Sequence, residues 1–295
     1  MYIILGGTGH IGSATARALL RRGEPVTIVT RDAGRASGLS EAGAHVAAVD
    51  VRDIGGLREV FRSGTRALLL NPPANPSGDT DAEERANVAA IVEALNGSGL
   101  QKVVAVSTYG ARAGERCGDL TVLHEFEEKL RAQPIPAAIN RGAYYMSNWQ
   151  AMLDTVRDHG TLPSFFPADF AMPMVAPDDL GEAAARRLLE PASEASLRNI
   201  EGPQRYTPRD VADAFAEALG ADVAVETIAR DAWAATFARL GFSQAAAHSY
   251  ACMTGTVVDD QAAWPGSPER GTTTLREYIR RIVEAEEQTR AAGRS

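Results

Sequence analysis

A glycine-rich turn near the start of the chain has the residue types and the spacing that bind a dinucleotide. The apolar run Tyr2–Leu5 leads directly into Gly6-Gly-Thr-Gly-His-Ile-Gly12. Gly6 allows the chain to leave a strand through a tight turn, Gly9 allows the backbone to approach a pyrophosphate, and Gly12 allows the next helix to pack against the sheet. The start of that helix offers free N–H groups and the positive end of the helix dipole to an anion. The predicted cofactor contacts in this turn are Gly6, Thr8, Gly9, His10, Ile11 and Gly12.

The elements around the turn strengthen this prediction. The spacing is G-x-x-G-x-x-G rather than the more familiar G-x-G-x-x-G, and a glycine triplet alone also fits a turn that only joins a strand to a helix. Here the turn follows a strand, opens a helix with apolar residues at helical spacing, and precedes a second apolar strand, Val26–Thr30. This strand–helix–strand context is the setting that the dinucleotide motif requires.

The end of the second strand is where such a cofactor would be selected. An acidic side chain at this point binds the ribose 2′-OH of NAD, whereas an arginine accommodates the 2′-phosphate of NADP. Arg31 directly follows Thr30, and Arg35 lies four residues further on. We therefore predict NADP(H) as the cofactor and favour NAD(H) less, since only Asp32 supports it. A solvated loop charge is the alternative interpretation of Arg31.

Three later strands also end in residues that could contact the cofactor, at the sheet edge where doubly wound folds bind ligands. The predicted contacts are Asp50 and Val51 at the adenine, Asn71, Pro72 and Pro73 at the ribose on the nicotinamide side, and Ser107 at the nicotinamide. Asp50 could instead cap the helix that follows it.

The alternation of strands and helices predicts an α/β fold, a Rossmann domain with a doubly wound parallel sheet and a smaller C-terminal substrate-binding region. We assign residues 1–145 to the NAD(P)-binding Rossmann domain, with the segment 176–202 returning to it, and residues 146–295 mainly to the substrate-binding region. Regular alternation stops after Asn148, so we expect the substrate-binding elements to interleave with the sheet. The predicted strands are 2–5, 26–30, 45–50, 66–71, 102–107, 135–140, 198–202 and 223–228; the predicted helices are 53–61, 81–96, 119–131, those starting at 178 and 207, and 233–253, with a frayed helix end after 284.

Composition and charge argue against several classes of protein. The chain has 295 residues and a net charge of −8, without a basic stripe, so we expect no binding to nucleic acid. The first strand begins at residue 2 and no apolar run approaches the roughly 18 residues of a membrane span, so we expect a cytoplasmic protein that does not bind membranes. Cys117 and Cys252 show neither CxxC spacing nor a histidine cluster, so we expect neither a metal site nor a disulfide framework. Whether the protein is a monomer or a homodimer is left open.

The order of motifs resembles the NmrA-like, atypical branch of the short-chain dehydrogenase/reductase superfamily, which includes type-2 quinone oxidoreductases, azoreductases and triphenylmethane reductases. The resemblance spans nearly the whole chain and is carried by Gly6–Gly12, Arg31, Asn71-Pro-Pro73, Val106-Ser-Thr-Tyr-Gly110, the His124–Arg131 helix, Asn140–Asn148, Asp178-Asp-Leu-Gly and Glu201-Gly-Pro. The first stretch is shared with many relatives, whereas 140–148 followed by the last two stretches is more particular to this branch. The resemblance implies a Rossmann domain, NADP(H), and a small C-terminal region that closes over a flat, often aromatic substrate.

The chain departs from the wider superfamily in its proton donor. That superfamily uses a tyrosine with a lysine four residues later, and no tyrosine of this chain has such a partner. In isoflavone-reductase-like relatives a lysine lies roughly where this chain has His124, which could exchange a proton near neutral pH in its place. We predict His124 and Tyr109 as catalytic candidates and Tyr144 and Tyr145 as substrate contacts. Packing or surface roles are the alternatives for all four.

The leading functional hypothesis is an oxidoreductase that passes hydride from NADPH to an electron-poor conjugated small molecule, such as a quinone, a quinone methide, an enone or an imine. Such acceptors need little acid catalysis, because the developing anion is delocalised and can take its proton from water or from His124. The alternatives are a non-catalytic NADP-binding redox sensor, as some members of this branch are, and a biosynthetic reductase or isomerase with one narrow substrate.

Overall fold

The protein is described by a computed structural model that covers residues 1–260 and 264–292. Its strands are β1 (Tyr2–Leu5), β2 (Val26–Thr30), β3 (His45–Ala48), β4 (Arg66–Leu69), β5 (Lys102–Thr108), β6 (Ala137–Gly142), β7 (Tyr144–Tyr145), β8 (Thr161–Ser164), β9 (Met172–Val175), β10 (Leu197–Glu201), β11 (Arg205–Tyr206), β12 (Ala224–Thr227) and β13 (Glu269–Arg270). Its α-helices are α1 (His10–Leu20), α2 (Ser37–Glu41), α3 (Ile54–Arg62), α4 (Thr80–Leu95), α5 (Asp119–Arg131), α6 (Leu153–His159), α7 (Pro177–Leu189), α8 (Pro208–Leu219), α9 (Trp233–Arg239), α10 (Gln244–Asp259) and α11 (Leu275–Ala292). None of the described helices is long and apolar enough to span a membrane.

The main sheet has eight strands in the order β13-β10-β6-β5-β4-β1-β2-β3, and its strand pairs are parallel. Strand β1 lies between β2 and β4, so the chain winds outward from β1 in one direction through β3 and in the other through β6. This arrangement opens a crevice beyond the carboxyl ends of β1 and β4, where ligands of such folds bind. The predicted doubly wound α/β fold is confirmed.

Helices on both faces of the sheet explain why its strands are apolar along their whole length. Side chains alternate between the faces. On one face, Ile4 and Leu68 belong to a buried cluster that includes residues of α1 and α7. On the other, Ile3 and Leu69 belong to a cluster that includes residues of α3, α4 and α5. The central strands are thereby buried on both sides and hold their carboxyl ends in fixed positions.

A third buried cluster forms the core of the C-terminal part of the chain. It contains Trp149, Phe166 and Met172 together with Phe215 of α8 and Ile279 of α11. Two small sheets, β11-β9-β7 and β12-β8, accompany it. Strands β10 and β13 belong to the main sheet and α7 packs against it, so elements from the C-terminal part of the chain interleave with the sheet.

The structure confirms most predicted elements and corrects three of them. The helix expected to begin with Asp178 as a cap begins at Pro177, and Ala176 occupies the cap position without a capping side chain. The single helix predicted over 233–253 is two helices, α9 and α10, with residues 240–243 between them. The predicted fraying after Glu284 is wrong, because α11 continues to Ala292.

The expectation that the cysteines form no disulfide is also wrong. Cys117 and Cys252 are bonded, with their Cα atoms 5.2 Å apart and a sequence separation of 135. Cys117 lies in the turn before α5 and Cys252 lies in α10, so the packing of distant elements brings them together. Local spacing carries no information about such a pair.

Candidate functional site

The glycine turn after β1 has the close contacts that its spacing predicts. Gly6 adopts a φ of +68°, which favours glycine, and its carbonyl accepts a hydrogen bond from the Gly9 N–H at 3.0 Å. A Cβ atom on Gly12 would lie 2.2 Å from the Gly6 carbonyl oxygen. Only a glycine at position 12 therefore allows α1 to start this close to the turn.

The start of α1 fits an anion such as a dinucleotide diphosphate. Gly9 occupies the cap position, so no side chain caps the helix, and the first turn contains no acidic residue. His10 is exposed and Ile11 is buried. The Thr8 hydroxyl lies 3.2 Å from that of Thr30 at the end of β2, which joins the turn to the strand that carries Arg31. The free N–H groups and the helix dipole are thus left open to a ligand.

Arg31 and Asp32 differ in whether their side chains already have hydrogen-bond partners within the protein. The Asp32 carboxylate accepts a hydrogen bond of 2.9 Å from the Gly34 N–H and caps a short 3-10 turn. Arg31 is exposed, and its side chain has no hydrogen bond or ion pair with the residues that the structure describes. Arg31 is therefore the freer of the two to meet a ligand.

The loop that follows β4 is fixed on α4. The Glu84 carboxylate accepts a 3.1 Å hydrogen bond from the Ala74 N–H, and the Asn71 amide donates to the Glu84 carbonyl at 3.3 Å. Asn87 donates to the carbonyl of Pro72 at 3.3 Å. These contacts hold Asn71 and Pro72 at the carboxyl edge of the sheet, and Pro73 follows them on the exposed side of the loop.

The two aspartates in the turn after β3 accept hydrogen bonds from different backbone groups. Asp50 is exposed and its carboxylate accepts a hydrogen bond from the Arg52 N–H at 2.8 Å, whereas Val51 is buried. Asp53 is the residue that caps α3, through a bond from the Gly56 N–H. The alternative interpretation of Asp50 as the helix cap is therefore wrong. Its contact with adenine stays a prediction.

Ser107 belongs to a buried charge network that the sequence did not reveal. Its hydroxyl donates a 2.6 Å hydrogen bond to the carboxylate of Glu127, which also binds Arg141 at 2.7 and 2.8 Å and Arg131 at 3.0 Å. Burial raises the pKa of Glu127, but hydrogen bonds from Arg141 and Ser107 outweigh it and hold the pKa below its ordinary value. The Ser107 hydroxyl is thus already engaged, and its contact with a cofactor stays a prediction.

The three tyrosines predicted at the site lie in different surroundings. Tyr109 is buried in the core cluster that includes residues of α1 and α7, and burial followed by the charge of Glu201 raises its pKa. The Tyr144 ring packs 5.7 Å from the Trp149 ring and 5.4 Å from that of Phe166. Tyr145 is half-buried, packs against the edge of the first core and lies beside Gly142 at the end of β6, where an added Cβ would lie 2.9 Å from its ring.

His124 lies on α5, half-buried, and its Nδ1 atom has no hydrogen-bond partner among the described residues. A side-chain nitrogen that is buried without a partner is rare in proteins. The structure thus leaves His124 free for its predicted role, which stays a prediction.

Several carboxyl groups lie where α4, α10 and the start of α5 meet, and sequence reasoning missed this grouping. Burial and the charge of Asp81 raise the pKa of Asp119 to about 6, although water reaches this side chain. Burial and the charge of Asp119 raise the pKa of Glu84 to about 7. Burial and the charge of Asp119 also raise the pKa values of Tyr145 and Tyr250. The Ser249 hydroxyl of α10 donates to Asp81 and accepts from the Gly118 N–H, so α10 contacts both α4 and the start of α5 at this point.

A model of the NmrA-like family matches residues 2–265. The chain belongs to the NmrA-like family. It is 23% identical over 230 residues to an NAD(P)H azoreductase of Xenophilus azovorans, covering 76% of this chain and 75% of that one. It is 21% identical over 286 residues to quinone oxidoreductase 2 of Escherichia coli, covering 95% and 97%. The fold also matches the triphenylmethane reductase of Citrobacter sp. complexed with NADP(H), with a TM-score of 0.77, 19% identity and coverage of 95% and 99%.

In this member of the NmrA-like family, the buried carboxyl group of Glu84 makes stability depend on pH. Glu84 is 4% exposed and its folded pKa lies above its unfolded value of 4.5, so its contribution to stability is present below pH 4.5 and is lost as the pH rises through about 7. We expect Glu84→Gln to raise the free energy of unfolding by about 2 to 3 kcal/mol at pH 8.5 and to change it little at pH 4.5. Urea denaturation at both pH values measures this. The exposed Glu59→Gln is the control, and an equal effect of both variants at pH 8.5 would contradict the prediction.

Proposed function

We propose that the protein is an NADP(H)-dependent oxidoreductase that reduces a flat, electron-poor conjugated small molecule, such as a quinone, a quinone methide, an enone or an imine. The observation that carries the proposal is the open start of α1 beside the glycine turn, with the unpaired Arg31 at the end of the next strand. The azoreductase and quinone oxidoreductase relatives and the NADP(H) complex of the triphenylmethane reductase support the same chemistry.

We assign a different role to each of the two parts of the chain. Residues 1–145, with the returning segment 176–202, would hold the dinucleotide, and 146–295 would mainly shape the substrate pocket. A bound nicotinamide would supply the hydride. The chain's own part is to bind the diphosphate at Gly9 and the 2′-phosphate at Arg31, and to orient the nicotinamide beside Ser107. His124 would provide a proton at its ring nitrogen, and Tyr145 would contact the substrate.

Titration with NADPH followed by turnover assays tests this proposal. We expect saturable NADPH binding and NADPH consumption with a panel of quinones well above the rate without protein. The variant His124→Gln should lower turnover of acceptors that need a proton while leaving NADPH affinity unchanged. Absence of NADPH binding would overturn the cofactor assignment. Binding without turnover of quinones, enones or imines would overturn the reaction.

Replacement of Arg31 tests the cofactor preference separately. Charge-assisted hydrogen bonds to a phosphate contribute about 1.5 to 3 kcal/mol, so we expect Arg31→Ala to lower the preference for NADPH over NADH by about tenfold to a hundredfold. The Kd values of both nucleotides, measured by fluorescence titration, give this ratio. Arg239→Ala, an exposed arginine on α9, is the control and should leave the ratio unchanged. An unchanged ratio in Arg31→Ala would show that another group recognises the 2′-phosphate.

A second candidate function is a non-catalytic NADP-binding redox sensor. The absence of a tyrosine–lysine pair in the sequence favours it, as does the burial of Tyr109, whose raised pKa makes it a poor acid. A sensor would bind NADPH tightly without consuming it in the same assays, so the two candidates give different results.

A further inference from the structure

Two adjacent glutamates of α5 differ in burial. The side chain of Glu128 is 59% exposed, whereas that of Glu127 is 1% exposed. The Glu127 carboxylate accepts hydrogen bonds from the Ser107 hydroxyl at 2.6 Å and from the Arg141 guanidinium at 2.7 and 2.8 Å. A carboxylate has about four acceptor positions, and a bond of 3.0 Å from Arg131 occupies a further one. A buried charge is costly unless it is fully paired, and Glu127 meets this requirement.

The two partners of Glu127 on the sheet are neighbours. Ser107 of β5 and Arg141 of β6 are paired in the parallel register, and each lies one position before the end of its strand, Thr108 or Gly142. Their side chains point to the face that α5 covers, since alternate residues of β5 belong to the same core cluster as residues of α5. One carboxylate therefore joins α5 to the carboxyl ends of both strands.

Glu127 is the polar link between α5 and these strands. Among the described residues, its hydrogen bonds are the only ones that an α5 side chain makes with β5 or β6. The 2.9 Å ion pair of Arg85 and Glu125 joins α5 to α4, the disulfide joins the preceding turn to α10, and the Arg112 N–H of the loop after β5 donates to the Leu120 carbonyl at 2.9 Å. Apolar contacts also hold α5 to the sheet, but they are non-directional, whereas charged hydrogen bonds fix distance and angle. The level of α5 along the two strands therefore depends on Glu127.

His124 lies three residues before Glu127 on α5. Because α5 connects two parallel strands, it runs antiparallel to them, and its amino end lies at the carboxyl edge of the sheet. Residues three apart share a side of a helix, and each residue advances by about 1.5 Å along the axis. The backbone of His124 therefore lies about 4.5 Å beyond that of Glu127, toward the edge where ligands of this fold bind. The Nδ1 atom of His124 is buried without a hydrogen-bond partner among the described residues.

We propose that Glu127 is a positioning residue that fixes the place of His124 through α5. Its carboxylate does not contact a ligand, because it is buried and its acceptor positions are occupied. It holds α5 at the level along β5 and β6 at which His124 can give a proton to the reduced acceptor. This consequence for turnover rests on the proposed function, whereas the place of His124 does not.

NMR of the full-length protein tests the place of His124 without turnover. The Cε1–H signal of His124 is the one that His124→Gln lacks. We expect this signal to move in Glu127→Gln, because an amide has one acceptor oxygen where the carboxylate has two, and to stay in place in the control Glu128→Gln. Arg141→Lys keeps every charge but loses the two parallel bonds, so it should move the signal as well and serves if Glu127→Gln does not fold. An unmoved signal in Arg141→Lys, or an equal shift in Glu127→Gln and Glu128→Gln, would overturn the proposal.

Steady-state kinetics tests the consequence for turnover. At saturating NADPH, Glu127→Gln should lower kcat at least about tenfold for acceptors that need a proton, since a displacement of about 1 Å in an active site has effects of this size. The double variant with His124→Gln should be no slower than His124→Gln alone, because both changes remove the same proton transfer. Additive losses would overturn the action of Glu127 through His124. If the wild type turns over no acceptor, the proposed function fails, and NMR still decides whether Glu127 fixes the place of His124.

Discussion

Gly12→Ala is expected to weaken NADPH binding at least a hundredfold. The added Cβ would lie 2.2 Å from the Gly6 carbonyl oxygen and 2.8 Å from the Gly6 carbonyl carbon. Both are backbone atoms of a turn whose φ of +68° leaves little room for adjustment, so α1 must move away from the turn. Overpacking of this kind costs about 3 kcal/mol or more, which corresponds to a factor of about 150 in an equilibrium constant.

The matched control is Gly38→Ala in α2, where an added Cβ meets no atom within 4 Å. Alanine favours a helix over glycine, so this variant should bind NADPH like the wild type and be equally or slightly more stable. Calorimetric titration gives the Kd values, and circular dichroism at the same temperature shows that the Gly12 variant is still folded. A Kd for Gly12→Ala within threefold of the wild-type value would mean that the turn does not hold the diphosphate.

The strands and helices of the nucleotide-binding half could be predicted because each is decided by local pattern. Apolar runs such as Val26–Thr30 are buried on both faces of a parallel sheet, so the run itself marks the strand. The start of α8 was equally readable, because Thr207 and Asp210 form a capping box around Pro208. These signals need no knowledge of distant residues.

The roles of Glu84 and Glu127 could not be predicted, because they depend on which distant elements meet. Glu84 has the sequence context of an ordinary helix charge, and only the packing of α4 against its neighbours buries it. Glu127 is similar, since it lies one turn from exposed charges yet is 1% exposed beneath Ser107 and Arg141. A single sequence gives the residue type at each of these positions but not its neighbours in space.

Lys102 is a charged residue that is buried at the start of a strand. We expect the removal of its ammonium group to lower the free energy of unfolding by about 3 kcal/mol. It is fully buried at the start of β5, and its ammonium donates to the carbonyls of Arg187, Glu190 and Pro191 at 2.6, 3.3 and 3.1 Å. These carbonyls lie at the end of α7, where backbone acceptors lack partners within the helix. In Lys102→Met the apolar stem stays but the three carbonyls lose their donor.

The pH dependence of this loss distinguishes a buried ammonium from a packing effect. Burial lowers the pKa of Lys102 to about 8, below its unfolded value of 10.5. Between these values the unfolded chain binds more protons than the folded one, so the contribution of Lys102 makes the wild type more stable as the pH rises. The difference in unfolding free energy between the wild type and Lys102→Met should therefore widen by about 2 kcal/mol from pH 8 to pH 10.

The chain contains one other lysine, the exposed Lys129 on α5, which provides the matched control. Lys129→Met should change the free energy of unfolding by less than about 0.5 kcal/mol at either pH. Because Lys102 lies at the amino end of β5, opposite the edge that carries the candidate site, NADPH affinity should be the same in both lysine variants. A gap between the wild type and Lys102→Met that stays constant from pH 8 to pH 10 would show that the ammonium is not desolvated. A loss of NADPH affinity would show instead that the end of α7 transmits its position across the sheet to the glycine turn.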